Sequence, residues 1–269
     1  MYNKYFPADE YHTPEDRKRI IWDRLSLGSS LYFKLRFIQI LFYNRKLAKN
    51  GNYDTERWGL SSYEIQQYCE DCGAKFHITG FDHVDKVKDE PVVFISNHMG
   101  TLETMVFPCL IAPVKEVTFV VKESLVTNPI FGPIMRARNP ITVGRADSRQ
   151  DLMKVITEGK QKLAEGTSVV IFPQGTRSVK FNPENFNSLG IKLAQKAGVR
   201  IVPMAIKTDF WGNGKQIKDL GPANRKEPVY IKFGEPMEVK GSGKEEHQFC
   251  VDFVQRHLEE WNNTICDNE

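Results

Sequence analysis

Residues 92–103 read Val92-Val93-Phe94-Ile95-Ser96-Asn97-His98-Met99-Gly100-Thr101-Leu102-Glu103, an apolar run, a polar loop carrying a histidine, and the first turn of a new helical pattern. An unbroken apolar run this short, closed by polar residues, is the signature of a strand buried on both faces that ends in a loop. The pattern recurs. Pro140-Ile141-Thr142-Val143 runs into Gly144-Arg145, and Val169-Val170-Ile171-Phe172 runs into Pro173-Gln174-Gly175-Thr176-Arg177-Ser178. Working outward, β-rich runs fall at 75–79, 91–97, 117–122, 140–143, 168–172, 199–206 and 229–233, with helical spans between several of them. Asp147 can cap a helix striped by Leu152, Val155, Ile156 and Leu163, and a helix over 185–196 is expected to end at Gly198. This alternation predicts an α/β domain, a mixed and largely parallel sheet flanked by helices, with an N-terminal amphipathic helical segment.

The chain has 269 residues, 41% of them apolar and 26% charged, with a mean hydropathy of −0.43. That is ordinary globular composition, and it excludes disordered, collagenous and disulfide-scaffold classes. Stretches without a charged residue, such as 91–102 and 104–114, fall well short of the roughly 18 apolar residues of a membrane-spanning helix. The opening Met1-Tyr2-Asn3-Lys4-Tyr5-Phe6-Pro7 has neither an apolar leader core nor an Arg-rich, acid-poor pattern, so an intracellular location is expected. The five cysteines, at 69, 72, 109, 250 and 266, are odd in number and scattered, as free thiols in a reducing compartment would be. Cys69 and Cys72 form a C-x-x-C without a second pair, and His247 with Cys250 is too thin a set to predict zinc. Cys266-Asp267-Asn268-Glu269 lacks the aliphatic pair of a prenylation box.

The net charge of +3 conceals a polarised distribution. Residues 17–49 hold nine Lys or Arg against Asp23 alone, a balance of +8, so the rest of the chain carries −5. Thr13-Pro14-Glu15-Asp16 reads as a helix start. Leu27, Leu31, Leu35, Ile38 and Phe42 then recur at helical spacing, and Phe33, Phe37, Ile40 and Tyr43 widen the apolar face. Periodicity alone fits a helix packed on the domain's own core equally well as one lying in a membrane interface with its basic residues at the headgroups. Nucleic acid is the other anionic partner that charge would allow, but the apolar stripe suits lipid better. The expected division is a helical membrane-interface segment over 1–72 and an α/β domain over 73–269.

In an α/β sheet, ligands gather beyond the carboxyl ends of the strands, so the three polar loops should converge on one site. His98 and Glu103 are five apart. With His98 in the loop and Glu103 in the next helix's first turn, the carboxylate can fold back, fix the imidazole tautomer and leave the other nitrogen as a base. The plainer reading is a loop histidine and a glutamate favoured by the helix dipole. Phe172-Pro173-Gln174-Gly175 is a turn, and Thr176-Arg177-Ser178 after it adds hydroxyls and a guanidinium suited to a phosphate, with Arg145 as a second positive charge.

Taken in order, these blocks resemble the glycerophospholipid acyltransferase superfamily, which includes the 1-acyl-glycerol-3-phosphate acyltransferases. Residues 97–103 resemble its N-H-x-x-x-x-D block. Lys122-Glu123-Ser124-Leu125 through Pro129-Ile130-Phe131-Gly132 to Gly144-Arg145 resembles the second, residues 172–178 the F-P-E-G-T-R-S block, and Val202-Pro203-Met204-Ala205-Ile206 the fourth. The resemblance implies transfer of a fatty acyl group from an acyl-CoA or acyl-carrier-protein thioester to a lysophospholipid hydroxyl, at the cytoplasmic side of a membrane and without metal or other cofactor. It makes His98 the general base and Glu103 its orienting carboxylate. Arg145, Gly175, Thr176 and Arg177, with Lys122, would bind the acceptor's polar head, and Pro203 would shape the acyl-donor side. Two positions depart from the pattern. Glu103 stands for Asp, one methylene longer, and Gln174 stands for Glu, which removes a negative charge beside the anion site. A non-catalytic lipid-binding protein and a thioesterase using the same base are the competing readings.

Overall fold

The computed structural model describes residues 3–26 and 29–266, the side chains of 265 and 266 excepted. In chain order the elements are β1 (Glu10–His12), α1 (Ile21–Leu25), α2 (Leu31–Lys49), α3 (Thr55–Asp71), β2 (Phe76–Thr79), α4 (Phe81–Asp85), β3 (Val93–Ser96) and α5 (Leu102–Ile111). They continue with β4 (Val117–Lys122), α6 (Glu123–Thr127), α7 (Gly132–Ala137), β5 (Ile141–Val143), α8 (Ser148–Ala164), β6 (Ser168–Ile171), α9 (Leu189–Ala197), β7 (Ile201–Lys207), β8 (Val229–Phe233) and α10 (Lys244–Cys266). The strands form one eight-stranded sheet ordered β1-β2-β8-β7-β3-β6-β4-β5. From β7 to β5 every pairing is parallel, whereas β8 runs antiparallel to β7 and β1 antiparallel to β2. The mixed, largely parallel sheet expected from the sequence is borne out. The five strands of this parallel run, β7, β3, β6, β4 and the edge strand β5, therefore point their carboxyl ends at one rim.

The central strands are mostly apolar because each face is covered. On one face Phe94, Val170, Val202 and Ile206 pack beneath α2, α3 and α5. On the other Val93, Ile95, Val169 and Ile171 pack against α8, α9 and α10. Close approach there needs glycine: a Cβ on Gly159 of α8 would fall 2.8 Å from Leu193 of α9, and one on Gly190 would fall 2.8 Å from Ile95.

The N-terminal third departs from expectation. Thr13-Pro14 does not start a helix. Thr13 instead accepts the Phe76 N–H on its hydroxyl at 2.8 Å, and that hydroxyl donates to the buried Glu70 carboxylate, where the Tyr11 hydroxyl joins it at 2.7 Å. With its side chain committed to β2 and α3, Thr13 cannot cap a following turn, and the first helical residue is Ile21. Residue 72 is also no boundary of packing, since β1 extends the sheet and α2 and α3 share the core of its first face. Helix α2 has two apolar faces. Phe33, Phe37 and Ile40 turn inward, while Leu31, Leu35 and Phe42, members of the stripe read from the sequence, are exposed. Leu27 of that stripe, like the last three residues and the first two, lies outside the described residues.

Candidate active site

The loop 97–101 leaves β3 at the carboxyl rim, and its first residue anchors it. Buried Asn97 donates through Nδ2 to the Ile206 carbonyl at 2.8 Å and accepts the Ile206 N–H at 2.9 Å, replacing a ladder pair between β3 and β7 with a side chain. His98 follows. Its Nδ1 lies 2.8 Å from Glu103 Oε1. The same oxygen accepts the backbone N–H groups of Met99 and Gly100, each at 2.8 Å, and Oε2 accepts the Thr208 hydroxyl at 2.7 Å. Burial alone would push the Glu103 carboxyl up, but His98, Thr208 and the Gly100 amide outweigh it and hold the group below the usual carboxylate range. Glu103 is therefore a buried anion whose donors fix it. A carboxylate at Nδ1 stabilises an imidazolium and leaves Nε2 to exchange the reacting proton.

The loop after β6 grips His98 from the other side. The ring stacks on Phe172 with centroids 4.3 Å apart. The His98 backbone N–H donates to Gln174 Oε1 at 2.7 Å, and the His98 carbonyl accepts the Ser178 N–H at 2.8 Å. Gly175 takes a left-handed φ of +68° with open space where a Cβ would lie, and Thr176 is exposed beside it. Arg177 donates to Asp219 Oδ1 at 2.7 Å.

Arg145 reaches the same rim from the β5–α8 turn. Its φ of +64° is a left-handed conformation that is strained for a side-chain-bearing residue. Asp151 in the first turn of α8 holds the strained turn, accepting the Gly144 N–H at 2.9 Å and the Arg145 N–H at 2.7 Å. Lys122 ends β4 on the same rim. His98, Lys122, Arg145, Gly175, Thr176 and Arg177 all line one cleft of about 1060 Å³. The cleft opens onto both faces of the sheet. Phe37, Ile40, Trp58 and Phe119 line it on the α2 side, and Leu152, Val155, Ile171 and Leu189 line it on the α8 side. Pro203 is not among its walls. It lies buried in β7, paired with Ile95, with Gly234 close against its ring, because a central strand faces the core rather than the rim.

The sequence model of the family described as Acyltransferase fits residues 75–207, from the start of β2 to the end of β7. Residues 75–207 form an acyltransferase domain of the glycerophospholipid acyltransferase superfamily. A 1-acyl-sn-glycerol-3-phosphate acyltransferase of Pseudomonas aeruginosa is 26% identical over 172 residues, 64% of this chain and 62% of that protein. One from Chlamydomonas reinhardtii is 35% identical over 118 residues, 44% of this chain and 34% of that protein. The chain thus spans less than two thirds of the length of these relatives. The crystal structure of the 1-acyl-sn-glycerophosphate acyltransferase PlsC from Thermotoga maritima shares the fold, with a TM-score of 0.60 at 23% identity over 85% of this chain and 92% of that one.

Two site residues escaped sequence reasoning. Thr208 and Asp219 have no place in the blocks, but Thr208 carried a usable signal. Lys207-Thr208-Asp209 follows the apolar run of β7 as the other polar loops follow theirs. Asp219, in a 3-10 turn at Lys218–Leu220, carried none.

Proposed function

We propose that this protein is an acyltransferase that moves a fatty acyl group from an acyl-CoA or acyl-carrier-protein thioester to a hydroxyl of a lysophosphatidate-like acceptor. The His98–Glu103 pair, its histidine on the wall of a cleft with apolar and cationic side chains, carries the reading. An alcohol is almost un-ionised near neutrality, so its attack on a thioester needs concerted proton removal, a contribution of about 10² to 10⁴ in rate. His98 Nε2 takes the hydroxyl proton as the oxygen adds to the carbonyl carbon. The tetrahedral intermediate then collapses, the C–S bond breaks, and the leaving thiolate receives that proton from His98. Met99 and Gly100 give their N–H groups to Glu103, so oxyanion donors are to be sought elsewhere on the rim. Arg145 and Arg177, with Lys122, Gly175 and Thr176, would hold the acceptor's polar head, and the apolar walls its chain. The thioester supplies the activation, and the mechanism calls for no cofactor.

In this reading the acceptor and product are lipids, and the protein works as a peripheral or monotopic protein at the cytoplasmic side of a membrane with an anionic surface. No helix among the described residues is long and apolar enough to cross a bilayer. Ile21, Trp22, Leu25, Leu31 and Leu35 are nonetheless exposed together with Arg24 and Arg36, the pairing of grease and positive charge that an interfacial segment requires. The opposite face of α2 lines the cleft, so the helix would connect bilayer to site.

The deciding experiment supplies labelled acyl-CoA and acyl-carrier protein with a panel of lysophospholipids to wild type and His98→Ala. A lipid product that drops by orders of magnitude in the variant supports the reading. Fatty acid released as the only His98-dependent product would make the protein a thioesterase, and vesicle binding without turnover would leave a lipid-binding protein.

A further inference from the structure

Arg177, placed above in the acceptor-head site, already has an anionic partner. Asp219 Oδ1 accepts from Arg177 Nη1 at 2.7 Å and from the Thr101 hydroxyl at 2.9 Å, so one carboxylate oxygen joins the loop after β6 to the loop before α5. Both side chains of the ion pair are less than one fifth exposed, and both line the cleft.

The segment that delivers Asp219 is braced. The Gly212 N–H donates to the Pro222 carbonyl at 2.9 Å and the Gly214 N–H to the Lys218 carbonyl at 3.0 Å. The strands of the loop touch so closely that a Cβ on Gly214 would fall 2.1 Å from the Ile217 carbonyl oxygen and one on Gly221 would fall 1.5 Å from that of Gly212. At its base the Ala223 N–H donates to the hydroxyl of Ser30, just before α2, at 2.8 Å. Arg145, by contrast, makes no ion pair with any described residue, and only its backbone meets a carboxylate.

A guanidinium held by a carboxylate binds a second anion only if that anion displaces the carboxylate or outweighs its repulsion at near-contact distance. A phosphate monoester is close to dianionic at neutral pH, because its second pKa lies near 6. A phosphodiester carries one charge, no more than the carboxylate it must displace. Building on the acyltransferase reading, we propose that Asp219 is a specificity-determining residue that competes with the acceptor for Arg177 and thereby narrows the advantage of dianionic phosphate-monoester headgroups over phosphodiester and neutral ones. It acts through Arg177 and touches no reacting atom. Neutral headgroups do not draw on the guanidinium and are indifferent to Asp219.

Asp219→Asn tests this, because the amide oxygen can still accept the Thr101 hydroxyl while the charge is gone. Two readouts are needed. In acyl transfer, the ratio of kcat/KM for lysophosphatidate to that for lysophosphatidylglycerol is expected to rise about tenfold in the variant, through KM, with the monoester gaining most, and Asp219→Glu to restore it. A ratio that is unchanged or smaller would overturn the proposal. Binding of glycerol 3-phosphate and of glycerophosphoglycerol to the resting protein, followed by calorimetry or NMR, is independent of turnover. Both should bind Asp219→Asn more tightly than wild type, and the monoester should gain more. If Asn leaves both affinities unchanged, or no binding is seen to either protein, Asp219 does not compete for Arg177. A protein without transferase activity whose Asn variant still binds the diester more tightly would remove the acyltransferase reading and leave the competition intact.

Discussion

Gln174 Oε1 accepts the backbone N–H of His98 at 2.7 Å, which explains how an amide can occupy a position where the superfamily's pattern has a carboxylate. The task there is to hold the histidine loop by one acceptor oxygen, and a side-chain amide supplies one without a charge. Gln174→Glu is therefore expected to keep most of kcat, whereas Gln174→Leu leaves the His98 N–H without its acceptor, at a cost of about 1–3 kcal/mol in the placement of the base, and should lower kcat about 10- to 100-fold. Steady-state kinetics on the two variants decides it. Equal activity in Gln174→Leu and wild type would show that the bond does not position His98.

Glu103 makes a pH prediction with a definite sign. Its folded-state carboxyl lies below the ordinary value of 4.5. A group with a depressed folded pKa contributes stability that is fully present above the unfolded value and is lost as pH falls through the folded one. Wild type should therefore lose stability more steeply than Glu103→Gln on acidification below about pH 4.5, and the gap between them should shrink. Urea midpoints measured from pH 6 to pH 3 test this. Parallel curves would mean that the carboxylate is not held as described. Activity of Glu103→Gln should fall throughout, because an amide at Nδ1 gives the imidazolium no counter-charge.

The strands, the two large rim loops and the His98–Glu103 pairing were legible because each is a local pattern. A buried parallel strand writes itself as a short apolar run, and a polar residue beyond its end has only the rim to occupy. Thr13 misled for the opposite reason: its cap signal is local, but Phe76 and Glu70, brought up by the sheet and α3, bind its hydroxyl. Pro203 belongs to a matched block and yet sits inside the sheet, since a sequence block records chain proximity and not the direction of each side chain. Helix α10 passed without notice although Cys250, Phe253, Val254 and Leu258 follow helical spacing, because its charged exposed face dilutes the stripe. Asp219 could not have been read at all, as its partners Arg177 and Thr101 are 42 and 118 residues away.

The Arg145 turn separates stability from binding. A left-handed residue other than glycine costs roughly 1–2 kcal/mol, here offset by the two hydrogen bonds to Asp151. Arg145→Gly should leave the melting temperature equal or slightly higher while raising KM for an anionic acceptor about tenfold or more. Asp151→Ala should do the reverse to the backbone, freeing the turn and lowering the melting temperature, and should raise KM as well because the guanidinium is no longer aimed. If KM rises in Arg145→Gly and stays unchanged in Asp151→Ala, the clamp is structural only.

The two faces of α2 make opposite demands, and a pair of substitutions can tell them apart. Phe37 is buried against Trp211, whereas Leu35 two residues earlier is 56% exposed and Trp22 is 62% exposed. Phe37→Ser removes a core ring and should destabilise the fold by about 3–5 kcal/mol. Trp22→Ser with Leu35→Ser removes no core contact, so unfolding should be nearly unchanged. Each side chain inserted in a bilayer interface contributes on the order of 1.5–3 kcal/mol when fully buried, and each basic residue at an anionic surface about 1 kcal/mol. The double variant is accordingly expected to bind vesicles containing anionic lipid at least tenfold more weakly. Added salt should weaken the wild type only in part, because the apolar contribution is not screened. Sedimentation of sucrose-loaded vesicles gives both numbers, and undiminished binding by the double variant would place the membrane contact on another surface of the protein.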